Sequence, residues 1–379
     1  MTLFDVGLCL MLALCGLLLL WPFLVYPAIL RLLPERPLGQ AGDAPVLSVS
    51  LLFCAYNEAA SLPAKIDNLR ELKARYPALE ILAFDDGSTD GTAALLASAN
   101  DLLTLVRGPG RSGKAHGMKL LAGKASGAVL IFTDANVLLK VDAIDRLLRY
   151  YADDSVGGVL GSLRYDGAGS SASASVGALY WRIEEHLKDL ESRTGNVMGA
   201  DGSIFSIRRD LYPDFPDSVL DDLTVSMAVV FAGKRLIKAT DVIAREMMVA
   251  KREDEYRRKV RIAARSWHTH GYLRPQLARM TALDRFKYTS RKVVRWFGGA
   301  WIGIGAVAGV LLVWRIAPIA AIALAAAALL LLMIGLQVRR GPLAAIIDLL
   351  LAYLATLKGV LMAMRGQTVT TWTPAASRD

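Results

Sequence analysis

The chain has 379 residues, of which 54% are hydrophobic and 21% charged, with a formal net charge of +9. That is too apolar for an ordinary soluble domain and too charged through the middle for an all-membrane protein, so a globular domain joined to helices in lipid is expected. Much of the basic excess lies between Arg245 and Arg295, just ahead of a hydrophobic run, which suits an anionic membrane surface or a negatively charged substrate and sets nucleic acid aside.

Residues 6–30 are almost uncharged and exceed the roughly 20 residues that cross a bilayer. The run is too long for a secretory signal and lacks a basic start and a small-residue cleavage site. Arg31 and Arg36 follow it, which predicts a cytoplasmic domain next. Cys9, Cys15 and Cys54 fall in apolar stretches without paired spacing and read as small buried side chains. Residues 45–55 read as a buried strand, and residues 61–75 as a helix with Leu62, Ile66, Leu69 and Leu72 on one face. A strand over 79–84 ends in Asp85-Asp86, and Thr89 or Asp90 is placed to cap a helix running through Leu96. A strand over 103–106, a helix over 114–125 and a strand over 128–133 ending at Asp134 follow. This alternation predicts an α/β fold with a mostly parallel, doubly wound sheet, whose ligands bind beyond the carboxyl ends of the strands.

Further strands are expected over 156–163, 202–207 and 235–239, with helices over 180–191 and 221–232. The second of these helices opens on two acids, which favour a helix N-terminus. An amphipathic run over 273–286 is expected on the cytoplasmic leaflet. Residues 296–314 and 316–338 are candidate spans, separated from a third hydrophobic stretch, 343–364, by Arg339-Arg340-Gly341-Pro342. The third stretch carries Asp348 and Lys358. One early span plus three late ones would leave the C-terminus outside, whereas Arg365 and Arg378 favour the inside, so this stretch is read as interfacial or re-entrant. The resulting division is a membrane helix over 1–35, a catalytic domain over 45–270, an interfacial segment over 271–295, membrane helices over 296–365 and a cytoplasmic tail over 366–379.

A series of polar islands interrupts this framework. At Tyr56-Asn57-Glu58 a strand gives way to a polar loop able to hold a nucleobase or merely to start a helix. Asp85-Asp86-Gly87-Ser88-Thr89-Asp90 puts carboxylates at a strand end, where they can accept from base N–H or ribose hydroxyls. Lys114 opens a basic, glycine-containing helix start that lacks the spacing of a P-loop yet can contact a diphosphate. Asp134 and Asn136 offer oxygen ligands two positions apart, which Mg2+ or Mn2+ accepts when phosphates complete the shell. Gly199-Ala200-Asp201-Gly202 and Asp221-Asp222 come next, and Asp222 is the candidate general base with Asp221 as its support.

Taken in order, AYNE, DDGSTDGT, GKAHGMK, TDAN, GADG, DD and RRKVR resemble a family 2 glycosyltransferase of the GT-A fold over about residues 46–267. With the flanking apolar segments, the chain is similar to the membrane-embedded branch that makes hyaluronan, cellulose, chitin and poly-N-acetylglucosamine. The resemblance implies a UDP-sugar donor, Mg2+ or Mn2+, inversion at the anomeric carbon, a glycan or lipid-linked acceptor, membrane lipids and polysaccharide export partners. It implies that Asp86 contacts uridine, that Asp134 binds metal and diphosphate with help from Asn136, and that Lys114 and Arg261 neutralise the leaving group. It also implies that Gly199 to Gly202 line the sugar and acceptor pocket with Asp201 facing it, and that Asp222 is the base. Two departures stand out. Asn136 replaces the usual second carboxylate, and Arg258-Lys259-Val260-Arg261-Ile262 replaces the Gln-x-x-Arg-Trp of processive synthases. Trp267 lies six residues past Arg261 and cannot simply take the place of that tryptophan; it is carried as a candidate for the acceptor pocket, and processivity is left open.

Overall fold

The computed structural model describes residues 2–39, 46–166, 172–247 and 252–367. The start of the first expected strand at residue 45 and nearly all of the expected tail, 368–379, lie outside the described residues.

Helix α1 (Leu3–Leu20) opens on a reciprocal cap, with Asp5 N donating to Thr2 Oγ1 at 3.3 Å and Thr2 N donating to Asp5 Oδ2 at 2.7 Å. Pro22 removes a backbone donor, and the helix widens into a π turn at Trp21–Val25 before α2 (Tyr26–Leu32). Together Leu3–Leu32 is long and apolar enough to cross a membrane.

The predicted alternation follows: β1 (Val49–Ala55), α3 (Leu62–Arg75), β2 (Glu80–Asp85), α4 (Thr92–Ser98), β3 (Thr104–Arg107), α5 (Lys114–Lys124) and β4 (Val129–Asp134). Every residue of β1 is buried, as expected of a central parallel strand covered by helices on both faces. Its alternate side chains feed two cores, Leu51 and Phe53 packing with Ile66 and Leu147, and Leu52 and Cys54 with Phe84, Met118 and Phe205. Gly91, not Thr89 or Asp90, is the cap residue of α4; Asp90 instead reaches Thr92 N at 2.9 Å and Ala59 N at 3.2 Å, tying two loops together.

Next come β5 (Leu138–Leu139), α6 (Ala143–Arg149), β6 (Val156–Asp166), α7 (Ala172–Arg193), β7 (Ile204–Arg208), α8 (Asp221–Phe231) and β8 (Arg235–Met247). Among the described residues the strands form an eight-stranded sheet in the order β3-β2-β1-β4-β7-β6-β8-β5. The first four strands in that order are parallel, β7 is antiparallel to both neighbours, and β6 and β8 are parallel. The doubly wound part is therefore the first half of the sheet, and the second half is mixed. β7 begins opposite Thr133 at the carboxyl end of β4 and runs back down the sheet. That reversal sets the loop before β7 beside Asp134.

The chain then returns to the apolar helices through α9 (Arg252–Leu277), α10 (Ala282–Tyr288), a π turn at Thr289–Val293 and α11 (Val294–Trp296). The amphipathic run expected over 273–286 is broken, because α9 stops at Leu277 and Thr281 Oγ1 caps α10 through Asp284 N at 3.1 Å. Helices α12 (Gly298–Ile316), α13 (Pro318–Gln337) and α14 (Pro342–Met364) are each long and apolar enough to cross a membrane. Arg315 at the end of α12 pairs with Asp5 at 3.2 Å, so α1 and α12 run antiparallel with these ends on one side. α14 is one continuous helix, which removes the re-entrant reading of 343–364. It lies against α9 at backbone contact distance, since a β-carbon on Gly359 would stand 2.3 Å from Val260 O and 2.8 Å from Ala263 Cβ. Arg252 of α9 bonds Asp348 and also donates to Leu336 O at 2.9 Å and Val338 O at 3.0 Å, carbonyls left open by the end of α13. The acid inside α14 is thus a link to the catalytic domain.

Candidate active site

One end of the site is assembled from adjacent parallel strands, with Ala55 of β1 opposite Asp85 of β2. Asn57 has φ 50°, the one non-glycine with positive φ among the described residues, a conformation Asn tolerates better than most side chains. Its Oδ1 accepts from Thr89 N at 2.8 Å and its own N–H donates to Ser88 Oγ at 3.1 Å. Glu58 N donates to Thr92 Oγ1 at 2.8 Å, so the AYNE and DDGST loops are laced together. The Tyr56 ring lies 3.3 Å under the Arg111 guanidinium, a cation–π pair. Asp86, the expected base contact, anchors a neighbouring loop. It is fully buried, and Oδ1 accepts from Ser112 N at 2.6 Å and Gly113 N at 3.0 Å. Two backbone amides have claimed the carboxylate, so Asp86 holds the loop that starts α5.

At the centre, Thr133 Oγ1 donates to Ser203 O at 2.8 Å and draws the loop before β7 onto the end of β4. Lys114 Nζ lies 2.6 Å from Asp134 Oδ1 and 3.9 Å from Asp221 Oδ2. Burial would lower the lysine pKa, but Asp134, Asp221 and Asp222 together hold it well above the usual value. Gly202 is dictated by this pair, because a β-carbon there would sit 2.8 Å from Lys114 Nζ and 3.0 Å from Asp134 Oδ2. Asp221 and Asp222 open α8 and both line the cavity. Burial and the charge on Asp221 push the Asp222 carboxyl up to about 6, against the pull of Lys114, Leu223 N–H and Lys292. A carboxylate so tuned can take a proton near neutral pH.

A single cavity of about 490 Å³ connects these groups to the apolar helices. Asp134, Asn136, Asp201, Gly202, Asp221, Asp222 and Arg261 all line it, as do Glu58 and Lys114. Ala200 lines it too, while Gly199 does not. Asp201 is the end of a buried ionic chain: Lys188 and the Ser203 hydroxyl bond it, and Ser203 N donates at 3.1 Å. Burial opposes its charge, but Lys188 and Ser203 prevail and bring it down to about 2, so Asp201 stays ionised and paired. Trp267 is not in the cavity. It packs on Trp296 and Phe297 at centroid distances of 5.6 and 5.7 Å. Arg258, Arg261 and Arg265, spaced three and four apart, form the face of α9 that meets the cavity, and Trp267 lies round the helix from them. The far wall is Phe23 of the first π turn and Leu349, Ala352 and Tyr353 of α14.

Residues 50–215 match the family model of glycosyl transferase family 2. This segment is similar to the glycosyltransferase domains of that family. Two curated relatives are the undecaprenyl-phosphate 4-deoxy-4-formamido-L-arabinose transferases of Yersinia pestis (strain Pestoides F) and Yersinia pseudotuberculosis (serotype O:3, strain YPIII). Each is 29% identical over 179 residues, 44% of this chain and 50% of the relative. The chain therefore spans about half the length of the curated relatives it matches. Among solved structures, the mannosyltransferase PcManGT from Pyrobaculum calidifontis, in complex with GDP-Man and Mn2+, superimposes with a TM-score of 0.73 at 21% identity. The match covers 95% of this chain and 99% of that one. The common fold is the mixed α/β sheet of GT-A glycosyltransferases with apolar helices at both ends.

The site can be tested for the divalent cation that this fold implies. Among the described residues no three or more His, Cys, Asp or Glu side chains are grouped to hold a metal alone. Asp134 supplies one carboxylate, and Asn136 donates from Nδ2 to Glu246 Oε1 at 3.0 Å, which leaves its amide oxygen as a second hard ligand. One carboxylate and one amide oxygen fit a Mg2+ or Mn2+ shared with a diphosphate, not a protein-only cage.

Several residues that build the site escaped the sequence. Glu246 lies on β8, 110 positions from Asn136, with no local signal. Glu184, Lys188 and Glu191 are buried on one face of α7. Their i, i+4, i+7 spacing inside an amphipathic helix was the available sign, since charged residues on a buried stripe need partners. Those partners are Arg291, bonded to Glu184 and to Glu191 Oε2 at 2.6 Å, and Arg295, 2.5 Å from Glu184 Oε2. Burial opposes ionisation of Glu184, but the two arginines hold it well below the usual carboxylate range.

Proposed function

We propose that the protein is an inverting membrane glycosyltransferase that moves one sugar from a nucleoside diphosphate sugar to a hydroxyl on a lipid-borne acceptor. The observation that carries this reading is the cavity, which runs from Lys114 and Asp134 past Asp222 to a wall of α14 and the first apolar helix. An acceptor in that cavity has one end at the base and the other against apolar helices. The undecaprenyl-phosphate transferases named above support a lipid acceptor over a polymerising synthase. Trp267 itself does not line the cavity, whose aromatic lining comes instead from residues such as Tyr180, Trp181, Tyr256 and Trp296. UDP is the first nucleotide to test, on the motif resemblance, with GDP second.

The chemistry is a single in-line displacement. Asp222 takes the proton of the acceptor hydroxyl, and the oxygen attacks the anomeric carbon from the face opposite the diphosphate. The bond between that carbon and the diphosphate oxygen breaks, and its electron pair leaves with the nucleotide. Lys114 and Arg261 stabilise the negative charge that develops there. A divalent cation on Asp134 and Asn136, when bound, supplies further charge neutralisation at the diphosphate. Asp86 sets the loop from which Lys114 projects.

The catalytic domain is assigned to the cytoplasmic face of the plasma (inner) membrane. Arg31, Arg36, Arg339 and Arg340 would then all lie inside, with the Asp5–Arg315 pair outside. In this arrangement α14, bound to α9 and lining the cavity, lies along the inner interface, which resolves the parity of the spans. The deciding experiment uses purified protein in nanodiscs with Mg2+ or Mn2+, UDP- and GDP-sugars and lipid acceptors, reading nucleotide release and product size. A one-sugar lipid adduct is expected. A long polymer formed without added lipid acceptor would overturn the lipid-acceptor reading, and nucleotide binding with no transfer to any acceptor would favour a catalytically silent binding protein.

A further inference from the structure

The corner of the cavity next to the apolar helices contains more positive charge than it balances. Arg291 takes Glu184 and Glu191, and Arg295 shares Glu184, so two carboxylates are consumed by two guanidiniums. Lys292 stands between these arginines in the π turn at Thr289–Val293 and lines the same cavity. Among the described residues it makes no hydrogen bond and no ion pair. Its Nζ lies beside Gly199, 3.8 Å from where a β-carbon on that residue would be. Burial and the neighbouring Arg291 bring Lys292 down to about 8, with Glu184 and Asp222 opposing. A half-buried ammonium that touches no carboxylate among the described residues is costly, and the same site becomes favourable once an anion fills it.

The location of Lys292 selects the anion. Lys114 acts on Asp222 from the Asp134 side of the site, among Asp134, Asp221 and Gly202. Lys292 acts on the same carboxylate from the Glu184 side, and the wall beyond it is Phe23, Leu349 and Tyr353. The donor diphosphate belongs with Lys114. A second anion, lying between the base and an apolar wall, must be attached to something apolar.

We propose that Lys292 binds the phosphate of an anionic lipid acceptor. The phosphate that joins a hydroxyl-bearing head to its hydrophobic tail rests on Nζ, with the hydroxyl directed to Asp222 and the tail leaving along α14. This rests on the lipid-acceptor reading above and adds to it the charge on the lipid and the residue that reads it.

The test is lipid binding to full-length protein in neutral maltoside micelles, followed by native mass spectrometry. The probes are phosphatidylglycerol, undecaprenyl monophosphate and, as the uncharged control, diacylglycerol. Wild type should bind a phosphate-bearing probe and not diacylglycerol. K292Q should lose about tenfold or more in that affinity, as expected for a charge-assisted hydrogen bond, and K292R should restore it to within about threefold. Nucleoside diphosphate affinity should stay constant in both variants. Preference for phosphatidylglycerol would assign the phosphate to a glycerolipid, and preference for undecaprenyl monophosphate to an isoprenoid; either supports the site. Equal phosphate-lipid binding by K292Q and wild type, or equal binding of diacylglycerol by wild type, would overturn it. Parallel loss of nucleotide affinity in K292Q would give Lys292 a structural role and overturn it as well. Transfer to no lipid at all, with K292-dependent binding intact, would remove the lipid-acceptor reading and leave the phosphate site standing.

Discussion

The two halves of the cavity are built differently. On the donor side, the groups that matter lie at the ends of neighbouring parallel strands and are tied by short-range loop contacts, Asn57 to Ser88 and Thr89, Asp86 to Ser112 and Gly113. On the membrane side, they are held by buried ion pairs between distant segments, Glu184 with Arg291 across 107 positions and Arg252 with Asp348 across 96. The first half is a scaffold that exists once the sheet forms. The second depends on contacts between segments far apart in the chain.

The comparison breaks first at Asp222, where the halves meet. Asp222→Asn should reduce transfer about 10²–10⁴-fold, the usual size of a general-base contribution, while nucleotide affinity is unchanged. The wild-type rate should also fall as pH drops through about 6, because the raised carboxyl must be ionised to accept the proton. A pH–rate profile flat to pH 5, or near-normal turnover by the variant, would remove Asp222 from the mechanism. Arg252→Ala removes the guanidinium's bonds to the Asp348 carboxylate and to three backbone carbonyls, and should cost about 1.5–3 kcal/mol, read as a lowered thermal midpoint in detergent. If α14 were independent of the catalytic domain, that midpoint would not move. Gly202→Ala forces a β-carbon onto Lys114 and Asp134, and should lower kcat/KM about a hundredfold by misplacing the donor. The smallest effect is expected at Tyr56. Its removal costs one partly exposed cation–π contact of about 0.5–1 kcal/mol, hence a few-fold in nucleotide affinity by calorimetry. A loss as large as that of Gly202→Ala would mean that Tyr56 contacts the nucleotide directly.

The strand-helix alternation through β4, the strand-end positions of Asp85, Asp86 and Asp134, the Asp221-Asp222 helix start and the long apolar runs were all legible in the sequence. Each depends on local periodicity or on residues close in the chain. The placement of Lys114 and Arg261 in one cavity with them followed from the order of the motifs. The folded chain adds to three readings. Asp86 is consumed by backbone amides of a loop 26 positions on, Trp267 falls off the cavity face of α9, and 343–364 is a continuous helix. What only the tertiary structure decided is the reversal of β7 beside β4, the meeting of Asn136 with Glu246, and the pairing that spends Glu184 and Glu191 while leaving Lys292 unpaired. A buried charge leaves no periodic trace that names its partner, because the Coulomb energy that fixes the pair depends on distance in space and not along the chain.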